Sequence, residues 1–530
     1  MKCKLLLLVL ALYTSNAWGA ANDKLITAYG AVADGRTNNA QSIQKAIDET
    51  SAAGGGRVII PAGNFMSGSI FLKSGVELHL QLGATLLGSH AVNDYQKIEG
   101  RAALVLSRDQ KNVSISGEGI IDGQGQELML DVFKKSRSGE LKQNDIWLYK
   151  RPEAGRAMVL YFWGCNNVKV TGITLKNASN WVQDYRECDG ITIHRITVQS
   201  TAYWNNDGLD ITDSKNVRIT NCFINATDDA ICLKSENPKS FCENILIDNC
   251  TLRSSANALK FGTASVGGFR NVVARNLTVF DTYRSAIAIE AVDGGFMENI
   301  DIQNVTAVNT GNAIFIRRGR RNQTGQVSTI KNVYIANVKV QVPLLKPDQG
   351  YPIEGPPDHL RPGFDKMPKR PGSYHIYGHP FLPYNLVPSS ITGLPGYPVQ
   401  GVTLENINIT YGGRASKDIA YIPLDSVTSV PENPAAYPEF SMFGELPAWG
   451  FYVRHAEGIK MKNVRLSFVE NDFRPAMVLD DVKAMDITDV HIPSGKDLPI
   501  ILLNNTSGIT FKSLKMPVSE SKGIMKTNYK

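Results

Sequence analysis

The chain has 530 residues, 43% hydrophobic and 20% charged, which is the composition of a folded protein and excludes a disordered or fibrous one. Its net charge of +6 is a mild excess spread along the length. That excludes a nucleic-acid-binding tail and fits an acidic ligand or ordinary surface charge equally well.

The N-terminus carries Lys2 and Lys4, then an apolar run from Leu5 to Leu12, then a small-x-small site at Ala17-Trp18-Gly19. This pattern predicts a secretory signal peptide over residues 1–19, too short and wrongly flanked for a membrane anchor. Cys3 lies before the apolar run and is not placed like a lipoprotein cysteine. No later segment reads as a transmembrane helix. Residues 20–530 are therefore expected to be secreted or periplasmic, with no membrane or nucleic-acid partner. Over Asn39–Ser51 an apolar stripe of Ile43, Ala46 and Ile47 predicts one helix.

From there the chain repeats itself. Asp189-Gly190-Ile191-Thr192-Ile193 is followed by Asn216-Val217-Arg218-Ile219, Asn244-Ile245-Leu246-Ile247, Asn271-Val272-Val273-Ala274 and Asn299-Ile300-Asp301-Ile302, at steps of 27, 28, 27 and 28 residues. Related units begin at Asn112 and Asn167 upstream and at Asn332, Val402 and Asn463 downstream. Each unit is a short strand, a polar turn and another short strand, and none can bury its own apolar face. Stacking them, one coil about 4.8 Å above the next, buries a continuous core. The predicted fold is all-β: a single-domain, right-handed parallel β-helix with long loop insertions, its N-terminal helix covering the open first coil. Helical periodicity is nearly absent elsewhere. Asn177, Asn225, Asn276 and Asn304, each in an Asn-x-Ser/Thr triplet, are read as turn and ladder residues.

Two stretches break the repeat. Residues 341–400 hold about half of the 25 prolines, together with His375 and His379, which are read as loop packing. This insertion is expected to lie as an ordered loop against a cleft. A second irregular stretch runs over residues 412–448. Of the six later cysteines, Cys222 and Cys250 occupy equivalent repeat positions, so Cys165, Cys188, Cys222, Cys232, Cys242 and Cys250 are read as buried thiols rather than disulfides. No CxxC pair suggests zinc.

The residues that carry chemistry gather in NNDGLDITDSKNVRITNCFINATDDAICLK, residues 205–234. Asp207 precedes the Asp228-Asp229 pair by slightly less than one repeat, so the three carboxylates are expected side by side on adjacent coils. Clustered carboxylates cannot all ionise cheaply, and the result is a proton donor beside a proton acceptor. A polar ladder of aspartates at turns, or a calcium site, fits the spacing as well.

Asn205-Asn206-Asp207-Gly208-Leu209-Asp210 followed by Asp228-Asp229 resembles the signature of glycoside hydrolase family 28, the polygalacturonase family. Gly117-Glu118-Gly119-Ile120-Ile121-Asp122-Gly123-Gln124-Gly125, and the stretches AYGAVADG and VIIPAGNFMSGSIFLKSGVELHL, resemble other parts of that family, and the likeness covers most of residues 26–310. The resemblance implies hydrolysis with inversion at an anomeric carbon, on a pectic polysaccharide or oligosaccharide, with neither cofactor nor metal. It implies Asp228 as general acid, Asp207 and Asp229 as the groups that activate water, and Asn205 as a hydrogen-bonding support.

Two places depart from the family. Asn257 stands where the family has the histidine of Gly-His-Gly, and Ala288-Ile289-Glu290 replaces Arg-Ile-Lys, the basic pair that grips a galacturonate carboxylate. An acid there repels that carboxylate. Lys260 or Arg284 could supply a replacement cation; Arg317-Arg318 is read as a solvated pair. Glu290 could bind a sugar hydroxyl, pair with Lys260 or take part in catalysis. Exo action or a decorated substrate such as rhamnogalacturonan is expected, from a monomer. The alternatives are a β-helix polysaccharide lyase with Lys260 as proton abstractor, recognised by unsaturated products, and a non-catalytic carbohydrate-binding β-helix.

Overall fold

The computed structural model describes residues 23–142, 154–345 apart from Ala202, 347, 385–418, 422–492, 497 and 499–529. The expected signal peptide and most of the proline-rich stretch, with His375 and His379, lie outside the described residues.

The chain winds into a right-handed parallel β-helix. The sheet that matters for function runs coil by coil through β1 (Arg101–Arg108), β2 (Ala157–Trp163), β3 (Gln183–Arg186), β4 (Leu209–Thr212), β5 (Ile231–Ser235) and β6 (Leu259–Ser265). It continues through the C-terminal ends of β7 (Gly268–Ala291) and β8 (Phe296–Arg318), then β9 (Ser389–Thr392), β10 (Phe451–Glu457), β11 (Met477–His491) and β12 (Ile501–Asn504). Each pairs in parallel with the next.

Alternation along each strand decides which residues go inside. Phe162, Tyr185, Ile211, Leu233, Phe261, Ile289, Ile316, Ile391, Val453, Leu479 and Leu503 point inward and belong to one continuous core. Burying such a column of side chains, each worth about 1.5–3 kcal/mol, is what holds otherwise unstable coils together.

The turn between strands is set by asparagine. Asn216, Asn244, Asn271, Asn299 and Asn332 all have φ near +56°, a conformation that asparagine tolerates better than other side chains. Asn216 donates its amide to Asp189 one coil below, and the others donate to the asparagine below: Asn244 to Asn216 across 28 residues, Asn271 to Asn244 across 27, Asn299 to Asn271 across 28 and Asn332 to Asn299 across 33. A second ladder steps from Asn337 to Asn406 across 69 residues and on to Asn463 across 57. Those two long steps carry the two irregular stretches, so the ladder passes through the insertions without changing face. Asn177, Asn276 and Asn304 are turn residues of this kind. Asn225 is not; it lies within the strand Phe223–Ala226, where its side chain accepts from Arg253.

The helix α1 (Ala40–Ala52) buries Ile43, Ala46 and Ile47 against Val58 and Ile60 of the core, covering the first coils as expected. A second helix, α2 (Gly125–Ser138), corrects the reading of one helical segment. Its stripe of Leu128, Met129, Val132 and Phe133 was visible but follows directly on a glycine-rich turn and is framed by strand-like patterns. The last three of these residues pack with Tyr203 and Trp204, immediately before the Asn205-Asn206-Asp207 turn.

Cys165, Cys188, Cys222, Cys232, Cys242 and Cys250 are free and buried. Cys222 and Cys250 are stacked on neighbouring coils, where the Thr251 N–H donates to the Cys222 carbonyl.

The expectation for Arg317 and Arg318 is corrected: they are only 1% and 7% exposed. Arg317 donates to the carbonyls of Gly393, Glu432 and Asn433, and Arg318 to those of Ser328 and Pro398. The chain of the insertions folds back over Arg317, whose outward position strand alternation alone leaves open to water, and Arg318 is the last residue of its strand.

Candidate active site

The outward column of the functional sheet changes chemistry along its length. In register it reads Tyr161, Asp184, Asp210, Cys232, Lys260, Ala288, Phe315, Ser390, Tyr452, Val478 and Leu502. Polar and ionisable side chains thus occupy consecutive coils from Asp184 to Lys260. Beyond them, Ala288, Phe315, Tyr452, Val478 and Leu502 form a second apolar cluster with Val427, Val430, Phe440, Phe443, Leu446 and Ala448 of the irregular stretch. The irregular stretch therefore covers the outer face of the sheet on the C-terminal side of the carboxylates.

The turn that carries Asp207 is tightly held. Asn205 has φ +52°, and the buried Asn206 accepts from Ser200 and donates to the Asn180 carbonyl. A Cβ on Gly208 would come within 2.3 Å of Ile224 and 2.7 Å of the Ala230 carbonyl oxygen, so only glycine lets this coil sit on the next. The Gly208 N–H then donates to the Asp229 carbonyl.

These contacts bring Asp207 and Asp229 face to face on adjacent coils, with one carboxylate oxygen of each, and the Cys232 Sγ, within 4.8 Å of one another. Asp228 stands beside them, less buried. It accepts from the Asn205 side chain at 3.0 Å and from the Asp229 N–H at 3.0 Å. Arg156 in turn donates to Asn205.

Two buried lysines balance the acids. Lys234 Nζ lies 3.1 Å from Asp207 and 3.1 Å from Asp210, and donates to Cys232 at 3.2 Å. Lys260 Nζ lies 3.0 Å from Asp229 and 3.7 Å from Glu290, and donates to the Tyr437 hydroxyl at 3.2 Å. Asn257 supports Asp229, donating to it from both its backbone and its side chain, while its own carbonyl oxygen accepts from the Ser285 N–H.

The environment separates the acids. Burial pushes Asp207 up to about 7, against the pull of Lys234 and with the repulsion of Asp228 and Asp229. One of its oxygens is buried without a hydrogen-bond partner among the described residues. Burial also pushes Asp210 well up. At Asp229 burial acts in the same sense, but Lys260, Lys234 and Arg284 outweigh it and bring the carboxyl down to about 2. Burial pushes Glu290 up to about 7 despite Lys260. Burial disfavours the ammonium of each lysine, yet the surrounding acids hold both well above the ordinary range.

The structure thus brings together Asp207, Asp228, Asp229, Asn205, Asn257, Lys260 and Glu290. Arg284 sits at the edge of the group, 3.5 Å from Glu439. Lys260 is buried between Asp229 and Glu290. Sequence reasoning missed Lys234, Arg156, Tyr437 and Glu439. Lys234 was legible, since it lies two residues beyond Cys232 and shares its face. Tyr437 and Glu439 were not, because they come from the irregular stretch.

The pattern of glycosyl hydrolases family 28 matches residues 51–342. An exo-poly-alpha-D-galacturonosidase of Dickeya chrysanthemi is 28% identical over 318 residues, 51% of this chain and 52% of the relative. A probable polygalacturonase of Vitis vinifera is 25% identical over 340 residues, 61% of each chain. The chain thus spans between 52% and 61% of the length of these two relatives. Among solved structures, a hyperthermoactive exopolygalacturonase from Thermotoga maritima is 25% identical and superposes with a TM-score of 0.57, covering 73% of this chain and 87% of the other. By the match over residues 51–342, which runs through the whole carboxylate cluster, the chain belongs to glycosyl hydrolases family 28.

Proposed function

We propose that this chain is an exported, inverting glycoside hydrolase acting on a galacturonate-type bond in pectic polysaccharide or its oligosaccharides, homogalacturonan or rhamnogalacturonan, from a chain end. The observation that carries the reading is the set of three carboxylates on adjacent coils: Asp207 and Asp229 face to face, Asp229 3.0 Å from the Lys260 ammonium, and Asp228 less buried beside them. Inversion needs one group that accepts a proton from water and one that gives a proton to the leaving oxygen. Asp229 is the acceptor, and water attacks the anomeric carbon as its proton passes to Asp229. Asp228, the least buried of the three and fixed by Asn205, protonates the leaving oxygen, the role the family resemblance assigns it. Asp207 joins Asp229 in orienting the water. The steps move only protons and one glycosidic bond, and ask for no cofactor. Export agrees with the leader pattern over residues 1–19 and with an extracellular polymer as substrate.

Chain-end action is supported by the closure of the sheet on one side by Val427, Phe440 and Phe443. The lyase alternative needs a neutral amine to abstract a proton, and Lys260 is held as an ammonium by Asp229 and Glu290. Purified wild type and Asp228→Asn should be assayed for reducing ends on polygalacturonan, rhamnogalacturonan and their oligomers. Release from one of these, reduced at least about 100-fold in a folded Asp228→Asn, is expected. Ultraviolet-absorbing unsaturated products, or binding without turnover, would overturn the reading.

A further inference from the structure

We infer that Lys260 is a positioning residue of this site: its ammonium, shared by Asp229 and Glu290, keeps Asp229 a carboxylate and leaves the compensating proton on Glu290. The inference rests on the hydrolase reading above and adds to it a residue and a proton position.

The argument starts from charge. Lys260 is 1% exposed and Glu290 0%, and Asp229 is buried with them. Two ionised acids around one ammonium would leave a net negative charge out of reach of water, a costly arrangement. One acid must therefore be neutral, and the contacts say which. Asp229 is the nearer, at 3.0 Å, and its other oxygen accepts from both the backbone and the side chain of Asn257. Glu290 is at 3.7 Å and accepts from the Thr263 hydroxyl at 3.1 Å, while its remaining oxygen is buried without a hydrogen-bond partner among the described residues. Donors converge on both oxygens of Asp229 and stabilise its charge; those of Glu290 reach one oxygen only.

The other groups that face this pair do not change the count. Tyr437 accepts from Lys260 through its hydroxyl. Cys232 lies in register beneath Lys260, and Lys234 is engaged by Asp207 and Asp210. Arg284 is paired with Glu439 at 3.5 Å, and Arg321 with Asp293 at 2.7 Å. The arrangement repeats on the other side of the site, where Asp207 and Asp210 share Lys234. Two acids per lysine, on two adjacent coils, is a pattern that retains protons inside the site.

The test has an active and a passive arm. In the active arm, pH–rate profiles are compared for wild type, Lys260→Met, Lys260→Arg and Glu290→Gln on the substrate that wild type cleaves. Lys260→Met is expected to move the acid limb to higher pH by about one unit or more, a tenfold loss at the acid end, because Asp229 loses its cation. Lys260→Arg should restore the limb, and Glu290→Gln should not shift it, since glutamine mimics the protonated acid that Glu290 already is in the acid range; a shifted limb in Glu290→Gln overturns the proton position. A Lys260→Met variant whose limb is unmoved, with only its melting temperature lowered, overturns the inference.

The passive arm needs no turnover and keeps the inference testable if Lys260→Met does not fold or if wild type cleaves none of the substrates. It compares urea unfolding of wild type and Glu290→Gln from pH 4 to pH 8. A proton held by Glu290 in the fold stabilises wild type below the ordinary glutamate range and is lost as pH rises through about 7. Glutamine mimics the protonated form, so the variant should gain on wild type across that window. A stability difference that does not change between pH 4 and pH 8 overturns the proton position, whatever the enzyme does to pectin.

Discussion

Lys234 Nζ and an Asp207 carboxylate oxygen lie 3.1 Å apart, both side chains buried, on adjacent coils of one sheet. The same ammonium is 3.1 Å from Asp210. Removing it strands two acids. Lys234→Met should therefore cost about 3–5 kcal/mol at pH 8. The cost should be smaller at pH 5. Asp207 has its folded pKa raised to about 7, so its contribution to stability is present below its unfolded value and fades as pH rises through 7. At pH 5 the stranded acids protonate and their repulsion vanishes. Urea unfolding at both pH values measures this, and an equal loss at each would show that the ammonium is not what offsets the acids.

Asn257 stands where the family carries histidine, and here it acts as a clamp between Asp229 and the Ser285 N–H. Asn257→Ala leaves that buried N–H and one Asp229 oxygen short of partners. A loss of about 1–3 kcal/mol in unfolding free energy is expected, together with a fall in kcat larger than the change in KM, because the clamp holds the acceptor and not the sugar. Steady-state kinetics showing a KM effect alone would place Asn257 on the substrate instead.

Gly208 is required for space and not for backbone conformation, since its φ is not positive. Gly208→Ala must push either Ile224 or the Ala230 carbonyl, an overpacking worth about 1–3 kcal/mol. Because Asp207 precedes it and the Gly208 N–H binds the Asp229 carbonyl, the displacement should reach the carboxylates and lower turnover as well as the melting temperature. Full activity in a destabilised variant would show that the strain relaxes away from the site.

Phe443 packs in the outer apolar cluster, its ring 5.2 Å from the Arg317 guanidinium. If the irregular stretch closes the sheet beyond the carboxylates, Phe443→Ala should loosen that closure. Early products from a long substrate should then shift from a single small sugar towards a range of oligomers, as read by chromatography over the first few per cent of conversion. An unchanged product pattern would remove the support that this closure lends to chain-end action.

Much of the fold was legible because the coil rules are local. Alternating apolar residues and an asparagine at each turn recur at 27 or 28 residues, and a strand has only two faces. The pairing of Asp207 with Asp229 follows from the same arithmetic. The second helix was written in Leu128, Met129, Val132 and Phe133 but was masked by the strand-like pattern around it. The burial of Arg317 could not be read, because its strand position points outward beside the inward Ile316 and only the path of the insertions covers it.

The sequence by itself determined the β-helix, the face on which each strand residue lies and the meeting of three carboxylates on adjacent coils. These depend on periodicity, and periodicity survives insertions because the asparagine ladder resumes the same register after each one. Only the tertiary structure decided what those carboxylates are. Lys234 and Lys260 reach them across coils, Asn257 converts a missing histidine into a clamp, and Tyr437 and Glu439 arrive from a stretch with no repeat to fix it. Protonation follows from burial and from distances of 3–4 Å between side chains, and neither is set by spacing along the chain.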